Sequence, residues 1–425
     1  MKRVAYYLVT SGFGGVESYL LTLLRHLNRS AWDPIVYFYC SDPVAEQRMR
    51  QELLSLNVPI ASINEKGIPV ERTSTHNGAF APSADPTDQK NGCSKGLVAR
   101  TLGPLIPGLV KAAWYYGAQV QRVSRHLRLQ RLEVIHFLLG WYPWLEIPTL
   151  ASRLAGIPVR LLDVHFQTRE LRSLGVTRIC LTWLAQRSAS DIRAISPTLR
   201  AELISRCWAP RGKIRVIFNG VDVHQFPRVD RVSAREKLAL APHALVLGVI
   251  GRLSPEKGHR VLFEALSRLR LRHVPFRCLV IGDGPLREAL EQRVRELSLV
   301  DDVSFLGFRR DIPQLLSACD VVVLPSLKEG VPITLLEAMA AARVVVATDV
   351  GGVKDIVLDN TTGRLVASGD VAQLAQALDE LLRTDAETRA QIGAAAFERV
   401  QSSFSQQRML ESVFQLYQQP HGLHA

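Results

Sequence analysis

Short apolar runs alternate with longer amphipathic stretches along most of this 425-residue chain. The clearest runs are Val4 to Val9, Ala244 to Ile250 and Asp320 to Leu324. Runs of this length and composition predict buried strands, whereas the stretches between them predict helices. Strands that alternate with helices are typical of parallel α/β layers. The chain is therefore predicted to be an α/β protein.

The length of the chain predicts two or three domains, each large enough to bury a core. The alternating pattern divides into a first unit at residues 1–222 and a second at residues 223–400. Residues 401–425 are predicted to form a further helix, from Ser402 to Gln419, and a tail. Residues 66–96 are rich in Pro, Gly, Ser, Thr and Asn, which predicts an exposed or partly disordered insertion.

The segment 325–340 carries two carboxylates, Glu329 and Glu337, eight positions apart. An apolar strand precedes it, and Pro332 suits the first turn of the helix that is predicted to follow. Glu329 and Gly330 then form a loop at the carboxyl end of the strand, where open α/β sheets bind ligands. The start of the helix offers backbone N–H groups and a positive dipole end to an anion. This layout suits a phosphorylated ligand, and the alternative is a helix with one capping and one solvated Glu.

Two cations, Arg252 and Lys257, lie five positions apart in the loop that follows the predicted strand ending at Ile250. Both can converge on a diphosphate, because Arg supplies a forked contact and Lys a point charge. The alternative is that either residue, taken singly, is an ordinary surface charge.

The amino-terminal half contains a glycine loop after its first predicted strand. Gly12, Gly14 and Gly15 permit close approach of a ligand to the backbone, and Glu17 favours the start of a helix. A dinucleotide-binding fingerprint would need a third Gly at the position of Glu17, so that kind of site is disfavoured. His165 ends a later predicted strand, where a lone His is either structural or part of a site.

Together these segments resemble the retaining enzymes of glycosyltransferase family 4. The resemblance rests on Pro-Ser-x-x-Glu-Gly-x-Pro-x-x-x-Leu-Glu-Ala-Met-Ala from Pro325, Gly-Arg-Leu-x-x-x-Lys-Gly from Gly251, and Gly-Gly-Val-Glu from Gly14. It covers nearly the whole chain and is strongest between residues 245 and 365. It implies the GT-B fold, in which two Rossmann-like domains face each other across a cleft. It also implies that the first domain faces the acceptor and that the last helix crosses back to it.

The resemblance further implies a role for individual residues. It implies that Glu329 contacts the donor sugar, Glu337 holds the ribose of the nucleotide, and His165 reaches the sugar beside its anomeric carbon. It implies that Arg252 and Lys257 neutralise the diphosphate as it leaves. Other donor contacts are expected at Gly14, Gly15, Gly330 and Val331. No metal and no further cofactor is expected, because the Arg and Lys pair can replace a metal.

Two segments depart from the family pattern. Lys354 and Asp355 stand where the family has Pro and Glu, which leaves the role of Asp355 open. Phe218 replaces the usual Pro before Asn219-Gly220. Because Asn-Gly indicates a turn, we interpret this pair as a turn without ligand contact.

The formal net charge is +12, and all of the excess lies in the first unit. Residues 1–222 hold 28 Lys and Arg against 16 Asp and Glu, whereas residues 223–425 hold 24 of each. A basic acceptor-side domain favours an anionic acceptor or an anionic membrane surface. The alternative is that the charge only reflects Arg-rich usage. Nucleic acid is not a predicted partner, because no nucleic-acid-binding motif occurs.

The apolar runs also bear on location. None is long enough for a transmembrane helix, and the first is too short for a signal peptide. We therefore expect a cytoplasmic protein, either free or peripheral on the inner face of the membrane. Residues 102–131 combine aromatic residues with Arg122, Arg125 and Arg128 and suit either a membrane-surface helix or a core helix, of which the core helix is favoured.

The resemblance to the family implies a retaining, metal-independent hexosyltransferase. Its predicted reaction moves a sugar from a nucleoside-diphosphate sugar to a saccharide or lipid-linked acceptor, in cell-surface polysaccharide or glycolipid synthesis. The alternatives are a non-catalytic sugar-nucleotide-binding protein and a sugar-nucleotide epimerase, because one fold hosts several functions.

Overall fold

The structure is a computed structural model that describes residues 1–10, 14–64, 68–70, 107–139, 145–165, 176–226 and 230–419. Side chains are not described for residues 107–114, 176 and 177. The predicted insertion at 66–96 lies outside the described residues except for 68–70, where Ile68 is buried rather than exposed. Gly12 and the end of the tail also lie outside them.

The first half of the chain forms one parallel sheet. Its strands are β1 (Lys2–Thr10), β2 (Trp32–Cys40), β3 (Ile60–Ser62), β4 (Val134–Leu139), β5 (Val159–Val164), β6 (Asp191–Ala194) and β7 (Ile214–Val216). They are ordered β3-β2-β1-β4-β5-β6-β7 across the sheet. Every residue of β4 is buried, as expected for a central parallel strand with helices on both faces.

The second half forms another parallel sheet. Its strands are β8 (Val246–Ile250), β9 (Arg277–Ile281), β10 (Val303–Gly307), β11 (Val321–Leu324), β12 (Val344–Thr348) and β13 (Arg364–Val366). Their order is β10-β9-β8-β11-β12-β13. The strand order reverses between β1 and β4 in the first sheet and between β8 and β11 in the second. Ligands of open α/β sheets bind beyond the carboxyl ends of strands at such switch points.

Helices connect the strands throughout the described residues. They are α1 (Gly15–His26), α2 (Pro43–Ser55), α3 (Pro107–Leu129), α4 (Glu146–Leu154), α5 (Val176–Ser188), α6 (Pro197–Cys207), α7 (Arg231–Lys237), α8 (His259–Leu271), α9 (Arg287–Glu296), α10 (Ile312–Ala318), α11 (Ile333–Ala340), α12 (Val353–Ile356), α13 (Val371–Arg383), α14 (Ala386–Ser403) and α15 (Gln406–Gln418). Several begin at side-chain caps, such as Asp42 at α2 and Ser196 at α6. No described helix combines the length and apolarity needed to cross a membrane.

Helix α15 packs on the first sheet although it is the last helix of the chain. Its residues Met409, Val413 and Tyr417 join the buried cluster that includes residues of β1, α1 and α2. The predicted start of this helix at Ser402 is wrong, because α14 continues to Ser403 and Ser405 then caps α15. The chain therefore turns sharply where it leaves the second sheet.

Two segments that pass between the sheets lie side by side. Val221 N donates a 3.0 Å hydrogen bond to Phe404 O, and Gln406 N donates one of the same length to Val221 O. A Cβ on Gly220 would lie 2.5 Å from Ser405 O, so glycine permits this approach. The predicted Asn219-Gly220 turn thus packs against the second chain crossing.

Candidate active site

The two loops at the switch point of the second sheet carry the residues that the sequence motifs single out. One loop follows β8 and leads to Lys257, and the other follows β11 and holds Glu329. Lys257 Nζ lies 2.6 Å from Glu329 Oε1, and the same oxygen accepts a 2.7 Å hydrogen bond from Ser326 Oγ. The Glu329 side chain is 5% exposed and that of Lys257 is 25% exposed. The cation of this pair therefore remains accessible while its carboxylate is buried.

The backbone locks these two loops together. Gly258 has a φ angle of +68°, and a Cβ there would lie 1.9 Å from Pro325 O. Glycine alone fits that position without movement of the backbone. Leu327 N donates a 2.7 Å hydrogen bond to Glu256 O across the same contact. The relative positions of the two loops are thus set by main chain rather than by long side chains.

Helix α11 begins just after the Glu329 loop. No described side chain caps its N-terminus, so its first backbone N–H groups and positive dipole end are available there. Glu337 lies on this helix, and burial raises the pKa of its carboxyl to about 7. Arg252 is exposed in the loop after β8. Neither Arg252 nor Glu337 joins the Lys257–Glu329 ion pair within the described residues.

The first domain meets the second at the same loop. A Cβ on Gly330 would lie 2.2 Å from His165 O, so the loop touches the end of β5 only because this residue is glycine. A Cβ on Gly15 would lie 3.5 Å from Ile333 Cδ1, which places the glycine loop against the start of α11. The structure therefore brings His165, Gly15, Gly330 and Glu329 to one place.

The glycine loop is held by its own glutamate. Gly14 N donates a 2.8 Å hydrogen bond to Glu17 Oε2 at the start of α1. Glu17 is buried, and burial raises the pKa of its carboxyl. This contact fixes the backbone conformation at Gly14 and Gly15.

Buried charges behind His165 were not predicted from the sequence. Asp163 and Arg193 are both 0% exposed, and Arg193 Nη1 lies 2.7 Å from Asp163 Oδ2. His165 Nε2 lies 3.1 Å from Asp163 Oδ1, and His136 Nε2 lies 3.1 Å from Oδ2. One signal was present in the sequence, since His136 interrupts the apolar run Val134 to Leu139 and Asp163 interrupts the apolar residues Leu161 to Val164. A charge in such a strand indicates a buried pair, but its partners lie on other strands.

Arg193 also links this group to the second domain. Its Nη2 donates 3.0 Å hydrogen bonds to Phe218 O and to Asn219 Oδ1. Asn219 Nδ2 in turn lies 3.5 Å from the carbonyl oxygen of Val331, which is buried directly after Gly330. The turn at Asn219 thus connects the two domains beside the Glu329 loop.

Asp355, whose role the sequence left open, contacts the other domain. Its Oδ2 accepts a 3.2 Å hydrogen bond from Thr198 N at the start of α6. The structure thus assigns Asp355 an interdomain contact at a helix N-terminus. Within the described residues, no group of three His, Cys, Asp or Glu side chains is arranged to hold a metal ion.

Two family models together match most of the chain. Residues 13–225 match the model described as Glycosyltransferase Family 4, and residues 230–399 match the model described as Glycosyl transferases group 1. The alpha-D-kanosaminyltransferase of Streptomyces kanamyceticus is 30% identical, over 71% of this chain and 84% of its own length.

Other relatives are matched over less of their length. The UDP-Gal:alpha-D-GlcNAc-diphosphoundecaprenol alpha-1,3-galactosyltransferase of Escherichia coli is 30% identical, over 54% of this chain and 61% of its own length. Several such curated relatives are covered over only 50% to 62% of their length.

A solved structure shares the architecture of the whole chain. The Anabaena protein Alr3699/HepE, crystallised in complex with UDP, superimposes with a TM-score of 0.72 at 22% identity, over 98% of this chain and 99% of that one. The likeness confirms the predicted GT-B fold. With the two family models and the kanosaminyltransferase match, it leads to one assignment: the chain belongs to glycosyltransferase family 4, the glycosyl transferases group 1.

Proposed function

We propose that this protein is a retaining, metal-independent glycosyltransferase that moves a sugar from a nucleoside-diphosphate sugar to a saccharide or lipid-linked acceptor. The observation that carries the proposal is the 2.6 Å ion pair between Lys257 and Glu329. It lies at the switch point of the second sheet, and the adjacent Gly330 touches the first domain at His165. The pair puts a cation and a carboxylate where a diphosphate and its sugar would meet.

Lys257 is the main group that we assign to the diphosphate. An ammonium has three donors, so Nζ can keep its bond to Glu329 and still bind phosphate oxygens. The N-terminus of α11 begins beside it, and Arg252 adds a second, exposed cation. Positive charge that is in place before the reaction stabilises the negative charge that develops on the leaving diphosphate.

Glu329 and His165 are assigned to the donor sugar. Lys257 and Ser326 both bind Glu329 Oε1, so we assign Oε2 to the sugar hydroxyls. A carboxylate held by an ammonium is a weak nucleophile, and no enzymic nucleophile is assigned. Transfer then takes place on one face of the sugar, with the leaving phosphate oxygen accepting the proton of the acceptor, and the anomeric configuration is retained.

The remaining donor contacts belong to the nucleotide and its phosphates. Glu337 is assigned to the ribose hydroxyls, for which an ionised carboxylate is the better acceptor. Backbone at Gly14, Gly15, Gly330 and Val331 is assigned to the donor, because glycine permits close approach. Closure of the two domains around the donor would exclude water, which limits hydrolysis.

The acceptor is proposed to be an anionic or lipid-linked saccharide at the cytoplasmic face of a membrane. The support is the excess of 12 positive charges in residues 1–222 (28 Lys and Arg less 16 Asp and Glu). The name of the Escherichia coli relative also gives a diphosphoundecaprenol-linked acceptor. Co-sedimentation with anionic vesicles at low salt tests the membrane part. Failure to bind such vesicles would contradict it and leave the donor chemistry untouched.

Thermal stability against a panel of UDP-, GDP- and ADP-sugars tests the donor site. A ligand at ~100 times its dissociation constant adds about 2.7 kcal/mol to the free energy of unfolding. We expect one nucleotide sugar to stabilise the protein and to lose this effect in Glu337→Ala. If no nucleotide sugar stabilises the protein with or without candidate acceptors, the proposal is wrong.

Analysis of the product separates transfer from its alternatives. With the stabilising donor and a saccharide acceptor, we expect free nucleoside diphosphate and a glycoside with the anomeric configuration of the donor, seen by NMR. An epimerase would return a changed nucleotide sugar without an acceptor, and a binding protein would return the donor unchanged. Turnover that persists in EDTA would support the absence of a metal.

A further inference from the structure

A buried carboxylate lies directly behind His165. Asp163 and His165 are two positions apart in extended chain, so their side chains project to the same face. His165 Nε2 lies 3.1 Å from Asp163 Oδ1, and the two side chains are 3% and 0% exposed. The ring N–H is not aimed at the oxygen, so this is an electrostatic contact at hydrogen-bond distance. On another side, the Tyr19 ring packs against the imidazole, with the ring centroids 4.9 Å apart.

Asp163 carries a full negative charge in this position. Burial would raise the pKa of its carboxyl, but Arg193 and the adjacent imidazoles hold that pKa well below its usual value. Arg193 Nη1 donates hydrogen bonds of 3.0 Å and 2.7 Å to the two carboxylate oxygens. An ionised carboxylate only accepts hydrogen bonds. A ring nitrogen that faces it is therefore stabilised when it carries a hydrogen.

His136 provides an internal comparison on the other oxygen of the same carboxylate. Its Nε2 lies 3.1 Å from Asp163 Oδ2, and its Nδ1 lies 2.6 Å from Tyr417 Oη. Burial lowers the pKa of His136, so the ring is neutral. Its hydrogen then sits on Nε2, and Nδ1 accepts from the Tyr417 hydroxyl. The same carboxylate faces Nε2 of both histidines, but only His165 lies at the contact with Gly330.

We infer that Asp163 is a positioning residue for the donor site. Held by Arg193, it keeps the hydrogen of His165 on Nε2, orients the ring, and leaves Nδ1 as the nitrogen that accepts from a donor-sugar hydroxyl. The inference rests on the proposed function, because the donor sugar is the partner of Nδ1. The tautomer itself can be measured without turnover, so failure of this inference and failure of the proposed function are distinguishable.

Side-chain NMR of the full-length protein labelled with ¹⁵N-histidine reads the tautomer directly, and His165→Gln assigns the resonances. We expect His165 in the wild type to show a protonated Nε2 and a bare Nδ1. In Asp163→Asn we expect a mixture of tautomers. His136→Asn is the matched control, because it removes the other partner of the carboxylate and should leave the His165 resonances in place.

Kinetics with the donor found by the thermal panel, or with UDP-glucose and water as acceptor, provide a second readout. Asp163→Asn should lower kcat at least tenfold and change the donor KM by less than twofold, whereas His136→Asn should change kcat by less than threefold. If Asp163→Asn does not fold, the double variant Asp163→Asn, Arg193→Met takes its place in the NMR and kinetic experiments, because it removes the charges of both residues.

Two results would overturn the inference. One is a wild-type His165 whose hydrogen lies on Nδ1 or exchanges between the two nitrogens. The other concerns Asp163→Asn, either alone or combined with Arg193→Met. If its His165 resonances and its kcat match those of the wild type, or change no more than those of His136→Asn do, the inference is wrong. A wild type without turnover, together with a His165 tautomer that changes in Asp163→Asn as expected, would instead count against the proposed function alone.

Discussion

Two of the carboxylate–cation pairs among the described residues are similar in length but differ in their access to solvent. Lys257 and Glu329 are 2.6 Å apart with the cation 25% exposed, whereas Arg193 and Asp163 are 2.7 Å apart and wholly buried. An accessible pair adds little to stability, and its cation can bind a ligand. A buried pair is enclosed, and its members depend on each other. The comparison separates the pair that we assign to the substrate from the pair that we propose holds the site.

The largest expected effect is on stability and falls on the buried pair. Arg193→Met leaves the Asp163 charge buried without a partner, which should lower the free energy of unfolding by about 3–5 kcal/mol. Urea unfolding followed by tryptophan fluorescence measures it. The double variant Asp163→Asn, Arg193→Met should recover much of this loss, because no charge remains unpaired. If Arg193→Met were as stable as the wild type, the two pairs would no longer differ in their contribution to stability.

The next effect is on turnover and falls on the accessible pair. Lys257→Ala should lower kcat about 10²–10³-fold, the loss typical of a single group that stabilises transition-state charge. Stability should fall less than in Arg193→Met, because Lys257 is 25% exposed and the Glu329 carboxylate keeps its hydrogen bond from Ser326. Steady-state kinetics and thermal unfolding of one preparation check both parts. A large loss of stability with kcat unchanged would reverse the roles of the two pairs.

A third prediction concerns the contact between the regions. Gly330→Ala places a Cβ within 2.2 Å of His165 O, so the loop must move away from the first domain. We expect a loss of about 1–3 kcal/mol in the free energy of unfolding, with a weaker affinity for the donor. Calorimetric donor titration measures the second quantity. Gly212→Ala is the control, because a Cβ there meets no atom within 4 Å and, as at Gly330, the backbone φ is not positive. Equal donor affinities in the two variants would contradict the assigned contact.

The smallest effect depends on pH and on Glu337. Burial raises the pKa of its carboxyl from 4.5 to about 7 in the folded state, so the folded protein binds the proton more tightly than the unfolded chain does. Stability from this group is present below pH 4.5 and is lost as the pH rises towards 7. A shift of this size corresponds to about 3 kcal/mol for a fully buried group. Because Glu337 is only half-buried, solvent screening reduces the effect, and Glu337→Gln, which does not ionise, should gain about 1 kcal/mol relative to the wild type above pH 7. Unfolding at pH 5 and pH 8 measures this, and an equal difference at both values would show that the carboxyl is not perturbed.

The donor side of the site was predictable because its residues lie close together in the sequence. Arg252 and Lys257 share one loop, as do Glu329 and Gly330, and both loops follow apolar strands. The arrangement of parallel strands then brings the loops together at one edge. A short motif with its neighbouring strand therefore carried most of the information needed to place Lys257 beside Glu329.

The buried pair was not predictable, because its partners come from separate strands. Asp163 lies on β5, Arg193 on β6 and His136 on β4, and these strands become neighbours only in the sheet. The contact of Gly330 with His165 O was hidden for the same reason, since it joins the two halves of the chain. The boundary between α14 and α15 was missed because the residues from Ser402 onwards continue a helical pattern, and Ser405 interrupts it as a cap.

The bond between His136 and Tyr417 bears on how the protein is made. It joins residues 281 positions apart, and the apolar residues of α15 complete the cluster that includes β1, α1 and α2. The ribosome delivers those early strands first, yet the helix that covers them is translated only after the whole second sheet. The apolar surface of these strands must therefore remain exposed without aggregating while the whole second sheet is translated. A chain terminated before α15 would leave that surface accessible to chaperones and proteases.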